Sequence, residues 1–362
     1  MRGAAHSSMR AALIATTLAP SALAPSTVAP STVAASAIAL FAVAPLAVAA
    51  DPAPADSHEP PLIAYALELG RPDSRADLRE LYKSTSALRA VTFEMSRHPP
   101  PPDEDCAQTL GASRFAQQYA QLAMIQDQLG NFAAVVEANK SALACSPRVA
   151  SYEASIASAY VNLDQIAEAR AAAERAHALD PDDPSVRDVR ARLDFIQEHW
   201  ADATARFRLL ALGDRYASPQ VVDYARTFLW LAQRRAGLRN PERPESAPDE
   251  SSGAVAGVKH WPARILETLR GELTEEDLVQ VIQETAPESD RRERLTEALF
   301  YVGELRLAEG NPETARRHFA TVVNLRVLNF VEYGMARAEL KKMRDRAPVA
   351  DAATSETGFR AR

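Results

Sequence analysis

The sequence predicts an all-α fold, a solenoid of antiparallel helix pairs, from a 34-residue period and from its composition. Small residues recur at one position of each period, and a bulky residue recurs after each predicted turn. These positions are Ala123, Ala157 and Ala191, and Phe132, Ile166 and Trp200. Hydrophobic residues make up 47% of the chain but aromatic residues only 6%, and no stretch alternates as a half-buried strand does. Helices that pack closely through small side chains are therefore favoured over a sheet.

The register of the period identifies the repeat type. Pro147 and Pro181 end the first two copies, and this order of small, bulky and proline positions is typical of tetratricopeptide repeats (TPR), in which each repeat is one helix pair. Ala157 is expected to face Ala169 across the second pair, so that the two helix axes approach closely. The repeats fall at 116–149, 150–183 and 184–217, and a helix over 219–238 begins a partial fourth unit.

Further helices and linkers are predicted on both sides of this array (111–238). A helix over 73–96, with an apolar stripe that includes Tyr82 and Phe93, is expected to cover the first repeat. Thr274, with Asp277 three residues later, predicts a capped helix start. The predicted segments are a linker and N-terminal helix at 51–110, a flexible linker at 239–260, C-terminal helices with a further repeat (296–329) at 261–345, and a disordered tail at 346–362.

Residues 1–50 are predicted to be an export signal. Arg2 and Arg10 precede an apolar run that ends in the small-x-small pattern Ala47-Val48-Ala49. Because no cysteine lies near the end of the signal, no lipid-bearing residue is predicted, and the cleaved protein is expected in the periplasm or outside the cell. A retained membrane anchor over 32–50, about 19 residues long, is the alternative. The sequence leaves the start open between Met1 and Met9.

Cys106 and Cys145 are the only two cysteines of the chain. In an oxidising compartment two cysteines favour one disulfide, and the predicted hairpin turn near Gly130 brings Cys145 back towards the segment that holds Cys106. The alternative is that Cys145 is a small core residue of its helix. The sequence leaves both open.

The C-terminal third resembles a known family in four motifs. They are WPARIL at 261–266, GELTEE at 271–276, EALFYVGE at 297–304 and NFVEY at 329–333. Together they resemble NlpI-type bacterial envelope TPR proteins. The resemblance implies an adaptor linked to the outer membrane, often dimeric, that docks envelope proteases and peptidoglycan hydrolases.

Charge and motifs disfavour several other functions. The net charge is −7, whereas a nucleic-acid partner requires a basic face. The sequence contains none of the glycine-rich, nucleophile or zinc-binding motifs of common enzymes. The seven histidines are scattered, with no pair spaced to hold a metal. We therefore expect no enzymatic activity, no cofactor and no metal.

The remaining prediction is a surface that binds other proteins or peptides. In a stack of helix pairs the first helix of each pair lines a concave groove, where Asn162 is expected to hold a peptide backbone and Arg192 an acidic group. The alternative is that these residues only pack or face solvent. A second hypothesis is a structural subunit that uses its repeats for self-association, as a homodimer. The predicted groove residues are Gln117, Met124, Asp127, Ser158, Asn162, Arg192 and Phe195.

Overall fold

The structure is a computed structural model that describes residues 59–69, 75–213, 219–242 and 261–346. These ranges contain fifteen α-helices and no strand, so the predicted all-α repeat fold is confirmed. The predicted signal (1–50), most of the linker at 239–260 and nearly all of the predicted tail lie outside the described residues. None of the described helices is both long and apolar enough to cross a membrane.

The helices follow one another in pairs along most of the chain. Their bounds are α1 Pro61–Leu69, α2 Arg75–Arg97, α3 Asp103–Cys106, α4 Ala112–Gln128, α5 Phe132–Cys145, α6 Ala150–Asn162, α7 Ile166–Leu179, α8 Pro184–Ile196, α9 Trp200–Leu212, α10 Pro219–Arg235, α11 Trp261–Leu269, α12 Glu275–Thr285, α13 Glu288–Ala308, α14 Pro312–Leu325 and α15 Val331–Arg346. The three repeats correspond to α4–α5, α6–α7 and α8–α9, and the further repeat corresponds to α13–α14.

Each of the three repeats turns through a residue in the left-handed region. Gly130, Asp164 and Glu198, spaced by one repeat, have φ values of 72°, 62° and 63°. At the first turn the N–H of Asn131 donates to the carbonyl of Gln126 at 2.9 Å, and equivalent bonds close the other two turns. These bonds satisfy carbonyls that the end of the first helix would otherwise leave unpaired. The same backbone turn therefore recurs even where the glycine is replaced.

Small residues lie where paired helices are closest. Ala157 on α6 and Ala169 on α7 are both fully buried. On α13, a Cβ added to Gly303 would lie 2.8 Å from Cε1 of Phe319 on α14, which is too close for any larger residue without movement of the ring.

The core is continuous from the third repeat into the C-terminal helices. Phe207 of α9 stacks on Phe228 of α10 at a centroid distance of 4.8 Å, Phe195 of α8 meets Phe228 edge-on at 5.5 Å, and Phe300 of α13 lies 6.3 Å from Phe228. The predicted linker thus separates two parts of the sequence that share one hydrophobic core.

The N-terminal helices differ from the prediction in two respects. α1, which the sequence analysis included in the linker region, packs on α12, α13 and α14 at the other end of the chain, and its Leu62 is fully buried. α2 does pack on α4, with Ser84 hydrogen-bonded to Gln128 at 3.3 Å. The expected contact through Tyr82 and Phe93 is wrong, because these side chains are 73% and 63% exposed.

Candidate protein-binding surface

The predicted groove is built from equivalent positions of successive repeats. Met124, Ser158 and Arg192 lie one repeat apart on α4, α6 and α8. Met124 is 43% exposed, whereas Ser158 and Arg192 are buried. The C-terminal segment 326–346, here called the strap, packs on α6 and α8 and reaches α4 only at the turn that follows it. The strap consists of α15 and the loop before it.

The strap follows the turns of the first and second repeats. Leu328, in its loop, packs against the turn at Gly130, where an added Cβ would overlap the leucine side chain. Gly334 of α15 likewise leaves no room for a Cβ beside Asn162. Arg337 Nη1 donates to the backbone carbonyl of Asn162 at 2.7 Å. The carbonyls at a helix C-terminus carry partial negative charge, so they favour this cationic partner.

Three further cations of α15 contact the turns of the second and third repeats. Lys341 Nζ lies 2.7 Å from Asp164 Oδ2. Lys342 Nζ donates to the carbonyl of Ile196 at 2.9 Å, and Arg346 pairs with Glu198 at 2.8 Å. The end of α15 is basic, and these charges contact the turns of repeats two and three.

The first turn of α15 lies deeper in the groove. Its Glu332 is buried and accepts a hydrogen bond from the hydroxyl of Tyr301 on α13 at 2.9 Å. Burial raises the pKa of Glu332, and the positive charge of Arg192 partly offsets that rise. Arg192 itself donates to Asp188 at 2.8 Å. Arg192 was predicted to hold an acidic group of a bound peptide, but the acidic groups beside it in the structure are Asp188 and Glu332 of this chain.

The remaining predicted groove residues divide between surface and interior. Gln117 is exposed beside Met124 on α4, whereas Asp127 and Asn162 are buried and Phe195 is fully buried in the aromatic core. Repeat position carried no information about the strap, so it could not separate exposed from buried positions.

A buried polar network that the sequence analysis missed joins the C-terminal helices. Glu297 accepts hydrogen bonds from the hydroxyl of Tyr224, at 2.6 Å, and from the indole N–H of Trp261. Burial, together with the charge of Glu332, raises the pKa of Glu297 to about 8. Two carboxylates seven residues apart in the apolar stretch EALFYVGE were the sequence signal for this network.

The second of those carboxylates, Glu304, pairs with Arg235 of α10 at 2.6 Å. Arg235 also lies 4.9 Å above the ring of Trp200 and within 4.0 Å of Glu339 on the strap. Burial and the charge of Glu339 raise the pKa of Glu304 to about 8, against the opposing effect of Arg235. The network therefore connects α10, α13 and the strap through charged groups that are almost fully removed from water.

The two cysteines lie at the outer end of the first repeat. The structure joins Cys106 of α3 to Cys145 of α5, with their Cα atoms 4.5 Å apart. Both are buried in a small cluster with Ala116. The bond connects the segment between α2 and α4 to the first repeat. Among the described residues, no group of three His, Cys, Asp or Glu side chains could hold a metal ion.

Comparison with known proteins identifies a distant relative. No family model matches the chain. It is 27% identical over 155 residues to a Lipoprotein NlpI homolog of Haemophilus influenzae, an alignment that covers 42% of this chain and 43% of the relative. The chain thus spans less than half the length of the curated relative it matches. This weak similarity, together with the helical repeats, supports the resemblance drawn from the four C-terminal motifs.

Proposed function

We propose that the protein is a non-catalytic scaffold of the bacterial envelope that binds a client protein on the open part of its inner face. One observation carries the proposal: α15 packs on α6 and α8, whereas Met124, at the equivalent position of α4, is 43% exposed. The fold already uses this face to bind a helix, through packing at Gly334 and polar contacts at the turns.

The open face has a composition suited to a protein partner. Gln117, Gln121 and Met124 share one side of α4 and are all exposed, and α2 borders this side at Gln128. Methionine is flexible and polarizable, so it adapts to different apolar surfaces, while glutamine supplies both donors and acceptors. The similarity to an NlpI homolog supports the envelope as location. The envelope proteases and peptidoglycan hydrolases implied by the family resemblance are the clients that we propose.

Site-specific crosslinking tests this proposal. A photoreactive residue is placed at Met124, and a matched one at Leu179 on α7, since these side chains are 43% and 38% exposed. In the native envelope, the residue at 124 should crosslink to a distinct protein that the residue at 179 does not reach. Met124→Glu should reduce the yield with helicity unchanged, and Leu179→Glu should not. Equal crosslinking at both positions would reject the α4 face as the binding surface.

Self-association is a second candidate, and the exposed stripe of α2 favours it. Tyr82 and Phe93 lie at equal distances on either side of the point between residues 87 and 88, on one face of the helix. Two antiparallel copies related by a twofold axis there would set each Tyr82 against a Phe93. Light scattering of the parent and of the Tyr82→Glu, Phe93→Glu double variant tests it: a dimer that becomes a monomer supports self-association, and a monomeric parent excludes it.

A further inference from the structure

A surface cavity lies outside both the strap and the α4 face. It has a volume of about 590 Å³ and is formed where α10, α11 and α13 end and α12 begins, with Pro61 of α1 at one side. This volume is within the range of pockets that hold small ligands or a few residues of peptide. Its residues take no part in the proposed client surface, so a ligand bound in this cavity would be independent of that function.

The cavity has an apolar floor. Trp230, Leu269, Val302 and Leu305 line it, and each is at most 7% exposed. A ligand group that contacts this floor is therefore apolar, because a polar group would lose its hydration without gaining a partner there.

The walls are charged, with an excess of one positive charge. Four arginines and three glutamates line the cavity. Arg306 is held by Glu275 at 2.6 Å and by Glu309 at 2.8 Å. Arg239 is exposed, and no ion pair to it occurs among the described residues. The net charge of the walls matches a ligand with a single negative charge, whereas a phosphate group carries about two negative charges and would exceed the positive charge of the walls.

Arg234 supplies a donor fixed in place. Its guanidinium lies 5.7 Å from the ring centroid of Trp230, and its Nη1 donates to the carbonyl of Arg239 at 3.2 Å. Its Nε is buried and has no acceptor within the described chain. Because this Nε is closed to solvent, a ligand in the cavity would reach the guanidinium through its Nη atoms.

We propose that this cavity binds the C-terminal residue of a polypeptide, with an apolar side chain on the floor and the free carboxylate on Arg234 and Arg239. A carboxylate accepts two hydrogen bonds from a guanidinium in a fixed geometry. Gly271 and Arg239 are exposed at the mouth, which leaves a path for the preceding residues of the bound chain to reach solvent.

The test uses three probes on the full chain: the peptide acetyl-Gly-Ser-Gly-Ala-Leu with a free carboxylate, the same peptide as its C-terminal amide, and N-acetyl-leucine. Binding is followed by calorimetry and by tryptophan fluorescence, with Trp230→Phe to assign the signal. Because hydrogen bonds to a charged group are the stronger kind, the free acid should bind about tenfold more tightly than the amide, or better. Arg239→Gln should remove most of that difference. Arg316→Gln on α14, at 39% side-chain exposure, is the matched control outside the cavity.

Equal binding of acid and amide would overturn the role of the carboxylate. N-acetyl-leucine binding as tightly as the peptide would overturn the polypeptide assignment in favour of a small carboxylic acid. Binding of no probe at millimolar concentration would overturn both. Since Arg239 is exposed, loss of helicity is not expected in Arg239→Gln, and circular dichroism checks it. A client lost on Met124→Glu with unchanged peptide binding separates this site from the α4 face.

Discussion

Glu297 allows a sharp test of the buried network through the pH dependence of stability. Its carboxylate is 7% exposed and accepts hydrogen bonds from Tyr224 and Trp261. Burial, with the nearby charge of Glu332, raises its pKa from 4.5 to about 8. The folded state therefore retains a proton that the unfolded chain releases between these two pH values.

The raised pKa of Glu297 determines the sign and the size of the change in stability with pH. A carboxyl whose folded pKa is raised contributes stability that is fully present below pH 4.5 and is lost as the pH rises through 8. Between pH 5 and pH 8, Glu297 alone should lower the free energy of unfolding by about 3 kcal/mol. Glu297→Gln keeps a neutral side chain of similar shape, so it should remove this part of the loss.

Denaturant unfolding at pH 5 and at pH 8, followed by circular dichroism, measures the difference. The parent should lose more stability between the two pH values than Glu297→Gln does, by roughly the amount above. Glu168→Gln, at an exposed position of α7, is the control and should behave as the parent. If Glu297→Gln and the parent show the same change with pH, the assignment of a neutral buried carboxyl is refuted.

Two further perturbations test other parts of the fold. Gly303→Ala should destabilise the protein by about 1 kcal/mol, because overpacking against Phe319 outweighs the better helix propensity of alanine. Phe319→Leu in the same background should recover part of the lost stability. A thermal midpoint of Gly303→Ala above that of the parent would contradict this reasoning. The Cys106→Ser, Cys145→Ser double variant should lose about 4 kcal/mol, since the bond closes a loop with a sequence separation of 39 residues. A parent that has two free thiols after denaturation without reductant would show that the bond is absent.

The period of the sequence predicted the parts of the fold that local geometry determines. Positions 130, 164 and 198 complete the same left-handed turn although their residues differ, and alanine or glycine repeats where paired helices allow no larger side chain between them. Thr274 and Asp277 form the predicted capping box. Each of these features depends on contacts within one or two neighbouring helices, so one sequence carries a visible signal for them.

Contacts between segments that lie far apart in the sequence could not be predicted from the repeat period. Nothing in the apolar stretch of α1 indicates that it packs on α12 to α14 rather than on its neighbours, and nothing in the basic end of α15 shows that it crosses turns some 145 to 180 residues earlier. For this reason Asn162 and Arg192 were expected in an open groove. The four motifs of the family resemblance contain part of the buried network, including Glu297 and Glu304. The sequence alone did not show that these side chains bond to Tyr224 and Arg235.

The two halves of the strap differ in how they are held, and this leads to a last prediction. The first half is buried, with Glu332 bonded to Tyr301, whereas the second half is held by ion pairs to Asp164 and Glu198, of which Arg346 is 62% exposed. Salt screens exposed ion pairs far more than buried ones. Amide hydrogen exchange in the last turn of α15 should therefore be faster than around residue 335, and it should accelerate further between about 0.05 and 0.5 M salt while the first half keeps its protection. Uniform protection along α15 at both salt concentrations would show that the strap is held as a single unit and that its ion pairs add little.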